Sequence, residues 1–242
     1  MSITINTLTL LVLALHLLAD FHLQWASLSD GKRARLAPLF VHGFIYMTCM
    51  ALPLLLDTRL WPGLLVIVGS HLVLDFFKSL LLNKGDQKGE AALFFIDQAL
   101  HIAVILLCCE VFFRPSADSG VHTLTVDALK WVLLLLFVTK PANITMKQAL
   151  KKYAGFPVPK DLPEQATVPG AGAMIGNLER VLTAILLGLS QFAAIGLVFT
   201  AKSIARFDRI SKDQGFAEYY LIGSLFSLLW VFVGWIVLFK LL

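Results

Sequence analysis

Three stretches of this chain place an aspartate and a histidine four residues apart within otherwise apolar sequence. They are His16 and Asp20 in HLLAD, His71 and Asp75 in HLVLD, and, in the reverse order, Asp97 and His101 in DQALH. His42 adds a fourth imidazole near the start of another apolar run. On a helix, residues four apart share one face and lie about one turn from each other. Imidazole and carboxylate together form the ligand set of Zn²⁺, Mn²⁺ or Fe²⁺. Three or four histidines with three aspartates suffice for one divalent ion with an open coordination position, or for two ions. Such an ion, Zn²⁺ first among them, cancels carboxylate charge and activates water for attack. Asp20, Asp75 and Asp97 are therefore candidate catalytic groups, and all seven His and Asp residues are candidate ligands. The placement is costly, since an aspartate at the centre of a membrane helix costs about 2.5–3.5 kcal/mol on insertion scales.

Neighbouring polar residues fit around this set. Gln24 continues the face of His16 and Asp20 and is a candidate hydrogen-bond donor to substrate. Lys78, three residues after Asp75, is a candidate partner for a phosphate, or a side chain that snorkels to the interface. Lys202 and Arg206, four apart near the C-terminal end, form a second candidate pair for a lipid phosphate. Basic residues and tyrosines at helix ends are also ordinary interface anchors. His22 departs from the His16 face and is assigned no role. Glu179 and Arg180 sit in an apolar segment and are expected to be satisfied internally.

These residues must be positioned by helices in a membrane. The chain has 242 residues, 58% hydrophobic and 15% charged, with a mean hydropathy of +0.79. A soluble domain carries about 25% charged residues. A spanning helix needs about 20 mostly apolar residues, and seven segments approach this: 4–25, 38–56, 60–82, 91–113, 126–140, 173–201 and 216–240. The fold class is an all-α polytopic bundle with six or seven spans. The fifth segment is short enough to be re-entrant or interfacial. The sixth is long and contains Gly176, Gly188 and Gly196, so it can break. The first is read as a retained helix, because no basic region or small-residue cleavage site accompanies it. Residues 1–140 form an N-terminal helical unit and 171–242 a C-terminal pair. Between them, 141–170 begins as an amphipathic helix (NITMKQALKKY) and continues through Pro157, Pro159, Pro163 and Pro169 as extended chain. Cys49, Cys108 and Cys109 all lie in apolar sequence and read as buried thiols.

Depth ties the motifs to one another. Asp20 lies five residues before the end of its segment, His42 four after the start of its own, Asp75 seven before an end and Asp97 six after a start. In antiparallel neighbours, all fall roughly 6–12 Å inside the same interface. That is the side of the Lys/Arg-rich loops 27–37, 83–90 and 140–170, which the positive-inside rule makes cytoplasmic. With seven spans the N-terminus is then outside and the C-terminus inside. The basic stretch 201–215 contradicts this pattern, falling outside with Lys202, Arg206, Arg209 and Lys212. The net charge of +4 suits an anionic leaflet better than nucleic acid. Membrane lipid is the expected partner, nucleic acid is not, and homo-oligomerisation is left open.

The constellation His16-x3-Asp20-x3-Gln24, His42, His71-x3-Asp75 and Asp97-Gln98-x2-His101 resembles an uncharacterised bacterial inner-membrane family, a domain of unknown function. The C-terminal stretches IGNLER, QFAAIG, AKSIARF and FAEYYLIGSLFS resemble the same family. In its N-terminal half the chain is also distantly similar to the YdjM-like proteins, described as membrane-bound metal-dependent hydrolases. The resemblance implies a bacterial inner-membrane location and points to the same seven His and Asp positions. There is no Walker A, HExxH, GxSxG or Rossmann glycine pattern. The reading that follows is a metal-dependent hydrolase of a lipid or lipid-linked phosphate ester. A proton- or cation-coupled transporter using the same residues, and a non-catalytic membrane partner, are the alternatives.

Overall fold

The computed structural model describes residues 6–25, 36–82, 89–113, 124–150 and 170–241, and among them every regular element is helical. Most of the basic loops and the proline-rich connection lie outside the described residues. Six helices are long and apolar enough to cross a membrane: Ala37–Leu55, Thr58–Leu82, Glu90–Phe112, Val126–Ala149, Ala171–Gly188 and Gln214–Leu241. Thr7–His22 and Phe192–Ile204 are apolar but shorter. The chain is an all-helical, multi-pass membrane protein. It divides into two compact units, residues 1–136 and 137–242.

The first unit is built on α1 (Thr7–Leu17), α2 (Leu36–Ala51), α3 (Trp61–Leu82) and α4 (Glu90–Phe112). Asn6 starts α1, its side-chain oxygen accepting from Leu8 N at 3.2 Å. Its Nδ2 donates to the Phe113 carbonyl at 2.9 Å, which ties the beginning of α1 to the end of α4. Gly63 lets the start of α3 approach the same place, since a Cβ there would lie 2.6 Å from the Phe113 ring. These contacts make α4 antiparallel to both α1 and α3. Around them lies an apolar core of Leu8, Val12, Met50, Leu64, Ile67, Ile105 and Phe113, with the three free cysteines buried in it. After Leu17 the first helix widens into a π-helical turn, Leu18–His22, closed by Leu23 N donating to the Leu18 carbonyl at 2.8 Å. Two 3-10 turns, Leu52–Leu55 and Thr58–Leu60, join α2 to α3, the second capped by Asp57.

The fifth segment, which passes from the first unit into the second after Leu136, is longer than its sequence suggested. α5 (Val126–Val138) continues past a break at Thr139 into α6 (Lys140–Leu150), so that Val126–Ala149 has the length of a full span. Pro141 causes the break, because it has no N–H to return to the carbonyl four residues back. That carbonyl, on Phe137, accepts instead from the Trp230 indole at 3.1 Å. The Val138 carbonyl accepts from Arg180 Nε. Arg180 is almost fully buried and places its other donors on neutral oxygens too: Nη1 donates to Ser227 at 3.1 Å, and Nη2 to Asn143 at 2.6 Å and Asn177 at 2.9 Å. The guanidinium lies over Gly176, where a Cβ would stand 3.1 Å from Nη1.

The sixth segment is two helices, α7 (Ala171–Gly188) and α8 (Phe192–Ile204). The turn between them uses a left-handed residue, Ser190 at φ 57°. The two helices form an antiparallel hairpin, because Glu179 in α7 meets Lys202 in α8 at 2.6 Å, on opposite sides of the turn. α9 (Phe207–Lys212) and α10 (Gln214–Ile236) follow, α10 ending in a second π-helical turn, Val237–Leu241. The hairpin returns the chain to the end from which α7 began. The basic stretch 201–215 therefore lies at the same end as the connection before α7. Its lysines and arginines conflict with the positive-inside pattern only if segment six is a single span.

Two measurements check this. Reporters fused in 151–169 and directly after Lys212 are expected to read the same side of the membrane, and one after Leu242 the opposite side. Arg180→Leu removes the donor for four acceptors, of which the Val138 carbonyl and the Ser227 hydroxyl are buried, and a buried acceptor left unpaired costs roughly 1–3 kcal/mol. The thermal midpoint in detergent should drop sharply, and Gly176→Ala, which crowds the guanidinium, should lower it by less.

Candidate metal centre

The reversed order of the third motif follows from chain direction. α1 and α3 run towards the loops at 26–35 and 83–88, so each passes its histidine first and its aspartate one turn later. α4 runs away from those loops and meets Asp97 before His101. Two layers result, about 6 Å apart along the helices. The outer layer holds Asp20, Asp75 and Asp97, with His42 from the beginning of α2. The inner layer holds His16, His71 and His101, with Tyr46, one turn after His42. The four histidines, Asp75 and Asp97 are buried, and the Asp20 side chain is nearly so.

The outer layer converges on His42. Its Nε2 lies 3.1 Å from His71 Nε2, 3.2 Å from Asp20 Oδ1 and 3.5 Å from Asp75 Oδ2. His71 Nε2 is 3.8 Å from the same Asp75 oxygen. One imidazole N–H satisfies only one acceptor, yet three electronegative atoms surround this nitrogen. Ligand atoms on a tetrahedral ion with bonds of about 2.0–2.1 Å stand roughly 3.3–3.4 Å apart, in the range seen here. Two overlapping groups have the reach to hold a cation, Asp20–His42–His71 and His71–Asp75–His101, their donor atoms within 4.8 Å of each other. His101 suits such a role, with Nδ1 2.8 Å from the Asp97 backbone carbonyl and Nε2 buried without a hydrogen-bond partner among the described residues. That backbone contact is the usual means of fixing the tautomer of a ligating histidine.

His16 and Asp97 lie beside these groups. His16 Nδ1 is 3.2 Å from the Tyr46 hydroxyl, and its ring stacks on His101 with centroids 5.7 Å apart. The Tyr46 ring lies flat on His71, centroids 3.6 Å apart. Asp97 Oδ2 takes Lys78 Nζ at 2.6 Å, with Lys78 still 26% exposed at the outer edge of the site. Gln98 Nε2 donates to Asp20 Oδ2 at 2.8 Å and to Asp97 Oδ2 at 3.2 Å. With neutral imidazoles, three carboxylates against one ammonium leave the cluster a formal charge of −2, the charge one divalent ion neutralises.

The structure brings together all seven predicted His and Asp residues, and Lys78 with them. Gln24 follows the π-helical turn at the end of α1, half-buried. His22 folds back on its own turn, Nδ1 3.2 Å from the Leu17 carbonyl. Lys202 and Arg206 belong to the second unit. Lys202 is held by both oxygens of Glu179, at 2.9 and 2.6 Å, and by Ser224 at 3.2 Å. Arg206 is exposed at the turn into α9. Glu179 and Arg180 are each satisfied internally, by different partners. Sequence reasoning missed Tyr46 and gave Gln98, although part of the third motif, no role. Tyr46 carried a signal, standing four residues after His42 on the same face, and Gln98 is adjacent to Asp97.

Residues 7–135 match a sequence family described as a protein of unknown function (DUF3307). That span coincides with the first compact unit and contains all seven residues of the cluster. No curated protein and no solved structure matches the chain.

Proposed function

The chain belongs to the DUF3307 family, and we propose that its first unit is an intramembrane metal centre that hydrolyses a lipid or lipid-linked phosphate ester. The observation that carries the reading is the convergence on His42 Nε2 of His71 Nε2, Asp20 Oδ1 and Asp75 Oδ2 at 3.1–3.5 Å. A divalent cation satisfies that arrangement together, where a single proton serves one contact. Asp20, His42, His71, Asp75 and His101 would hold the ion. Zn²⁺ is favoured by the nitrogen-rich set, with Mn²⁺ and Fe²⁺ as rivals. When bound, the ion would supply Lewis acidity and an activated water.

Lys78 lies at the edge of the cluster with part of its surface open. It is the cation placed to receive a phosphate as the ester approaches. The distant likeness to YdjM-like hydrolases agrees with this chemistry and with a bacterial inner membrane. With the basic ends cytoplasmic, the carboxylate layer would lie within the inner leaflet just under its headgroups, where lipid headgroups are the nearest esters. The N-terminus is then outside. Counting α7 and α8 as two crossings instead of one would put the C-terminus outside as well, where the seven-span count has it inside.

Metal analysis of protein purified without chelator tests the reading first. One Zn²⁺, Mn²⁺ or Fe²⁺ per chain is expected, lost in His71→Ala and Asp75→Asn. Phosphate release from mixed micelles of phosphatidic acid or a polyprenyl diphosphate should follow the metal content. Absence of stoichiometric metal overturns the proposal. Metal without phosphate release, but with cation flux into proteoliposomes abolished by Asp75→Asn, would assign the site to a transporter.

A further inference from the structure

We infer that Gln98 is a positioning residue that fixes the orientation of Asp20, and that Asp97 anchors Gln98 and Lys78 rather than binding the ion. The inference rests on the metal reading of this site. The amide of Gln98 lies between two carboxylates, with one N–H available to each: Asp20 Oδ2 at 2.8 Å and Asp97 Oδ2 at 3.2 Å. The opposite amide orientation would set a carbonyl oxygen against both anions, so the carboxylates themselves dictate which end of the amide faces them. With Oδ2 of Asp20 engaged by Gln98, Oδ1 is the oxygen turned to His42 Nε2, 3.2 Å away. Gln98 thus selects the oxygen presented to the metal.

Asp97 is the aspartate whose carboxylate takes the Lys78 ammonium. Its Oδ2 already takes two donors, Lys78 Nζ at 2.6 Å and Gln98. Its Oδ1 lies 3.6 Å from His101 Nδ1, a nitrogen within 2.8 Å of the Asp97 backbone carbonyl. Neither cation-capable group includes it. Charge divides the same way. Asp97 and Lys78 neutralise each other, and Asp20 with Asp75 supply the two negative charges that match one divalent ion. The result is a chain of contacts, Lys78 to Asp97 to Gln98 to Asp20, running from the partly open edge to the metal ligand. Outer partners of metal ligands typically govern affinity by about 10–100-fold.

The test is equilibrium binding of Co²⁺ and Zn²⁺ to the full chain in detergent micelles. Gln98→Met fills a similar volume without donors. It is expected to weaken binding by about 10–100-fold and to alter the visible Co²⁺ bands at saturation, which a purely packing role would leave unchanged. Asp97→Asn should keep one ion per chain with affinity within about tenfold, whereas Asp20→Asn and Asp75→Asn should lose it. If the wild-type chain binds no ion, the metal reading itself falls. If it binds one and Gln98→Met matches it in affinity and bands, the positioning role alone is overturned. Loss of metal in Asp97→Asn to the extent seen with Asp75→Asn makes Asp97 a ligand and overturns the division of roles. That arm decides the question alone if Gln98→Met does not fold.

Discussion

Three carboxylates enclosed by apolar helices set the terms for the first unit. Each is expensive to remove from water, and three held close together are more so, because like charges repel most strongly where the dielectric is low. Helix direction makes the assembly regular. Antiparallel neighbours bring residues near the loop-facing ends of four helices to one level, and the four-residue spacing sets an imidazole layer beneath the carboxylates. Lys78 offsets one charge by pairing with Asp97. Two remain, with His42 and His71 between them. An apolar core would pack without any of these residues, and their cost is the ground on which a functional site is proposed.

The second unit faces the same constraint and meets it differently. Arg180 distributes its donors over a backbone carbonyl, two asparagines and a serine. Glu179 is matched by Lys202, which also reaches Ser224. Glu179, Arg180 and Lys202 each meet complementary protein atoms there, and the network repairs a helix broken by Pro141. Such a network holds helices together and asks for no further ligand. In the first unit acceptors face a nitrogen that can serve only one of them. The contrast between a matched network and a convergent one separates architecture from candidate site more firmly than burial does, since both sets include fully buried charged groups.

Much of this was legible in the sequence because it depends on period and direction. Asp–His pairs at helical spacing, the reversed order in DQALH and the common depth from the loop-bearing ends all follow from counting residues. The links between helices are another matter. Gln98 gains its role from Asp20, 78 positions away in the chain, and nothing in DQALH marks the glutamine above its neighbours. Tyr46 is legible as a residue on the His42 face, but not as a ring lying flat on His71. Segment six is breakable by its glycines, and it does turn two residues after Gly188, but the left-handed residue of the turn is Ser190, which its type does not announce. Lys202 reads in sequence as a phosphate partner or an interface anchor, because a breakable segment does not say which residues its two halves will pair, and Glu179 is the partner across the turn.

The first helix shows why the site lies where it does. At about 1.5 Å per residue, Thr7–His22 is shorter than the roughly 30 Å hydrocarbon layer. In lipid such a mismatch must be met by thinning or tilt. Here Leu8, Leu10, Val12, Leu15 and Leu17 are all buried in protein, so little of the helix meets lipid and its length is free to serve the site. The helix ends at the carboxylate layer, in the π-helical turn that carries Asp20. A π turn costs regular hydrogen bonding and is found disproportionately at functional sites. It shifts Asp20 from the strict α-helical position relative to His16, placing its carboxylate between His42 on α2 and Gln98 on α4. A short, enclosed helix with a widened last turn is a poor lipid-facing span, but it makes an effective wall for a buried site.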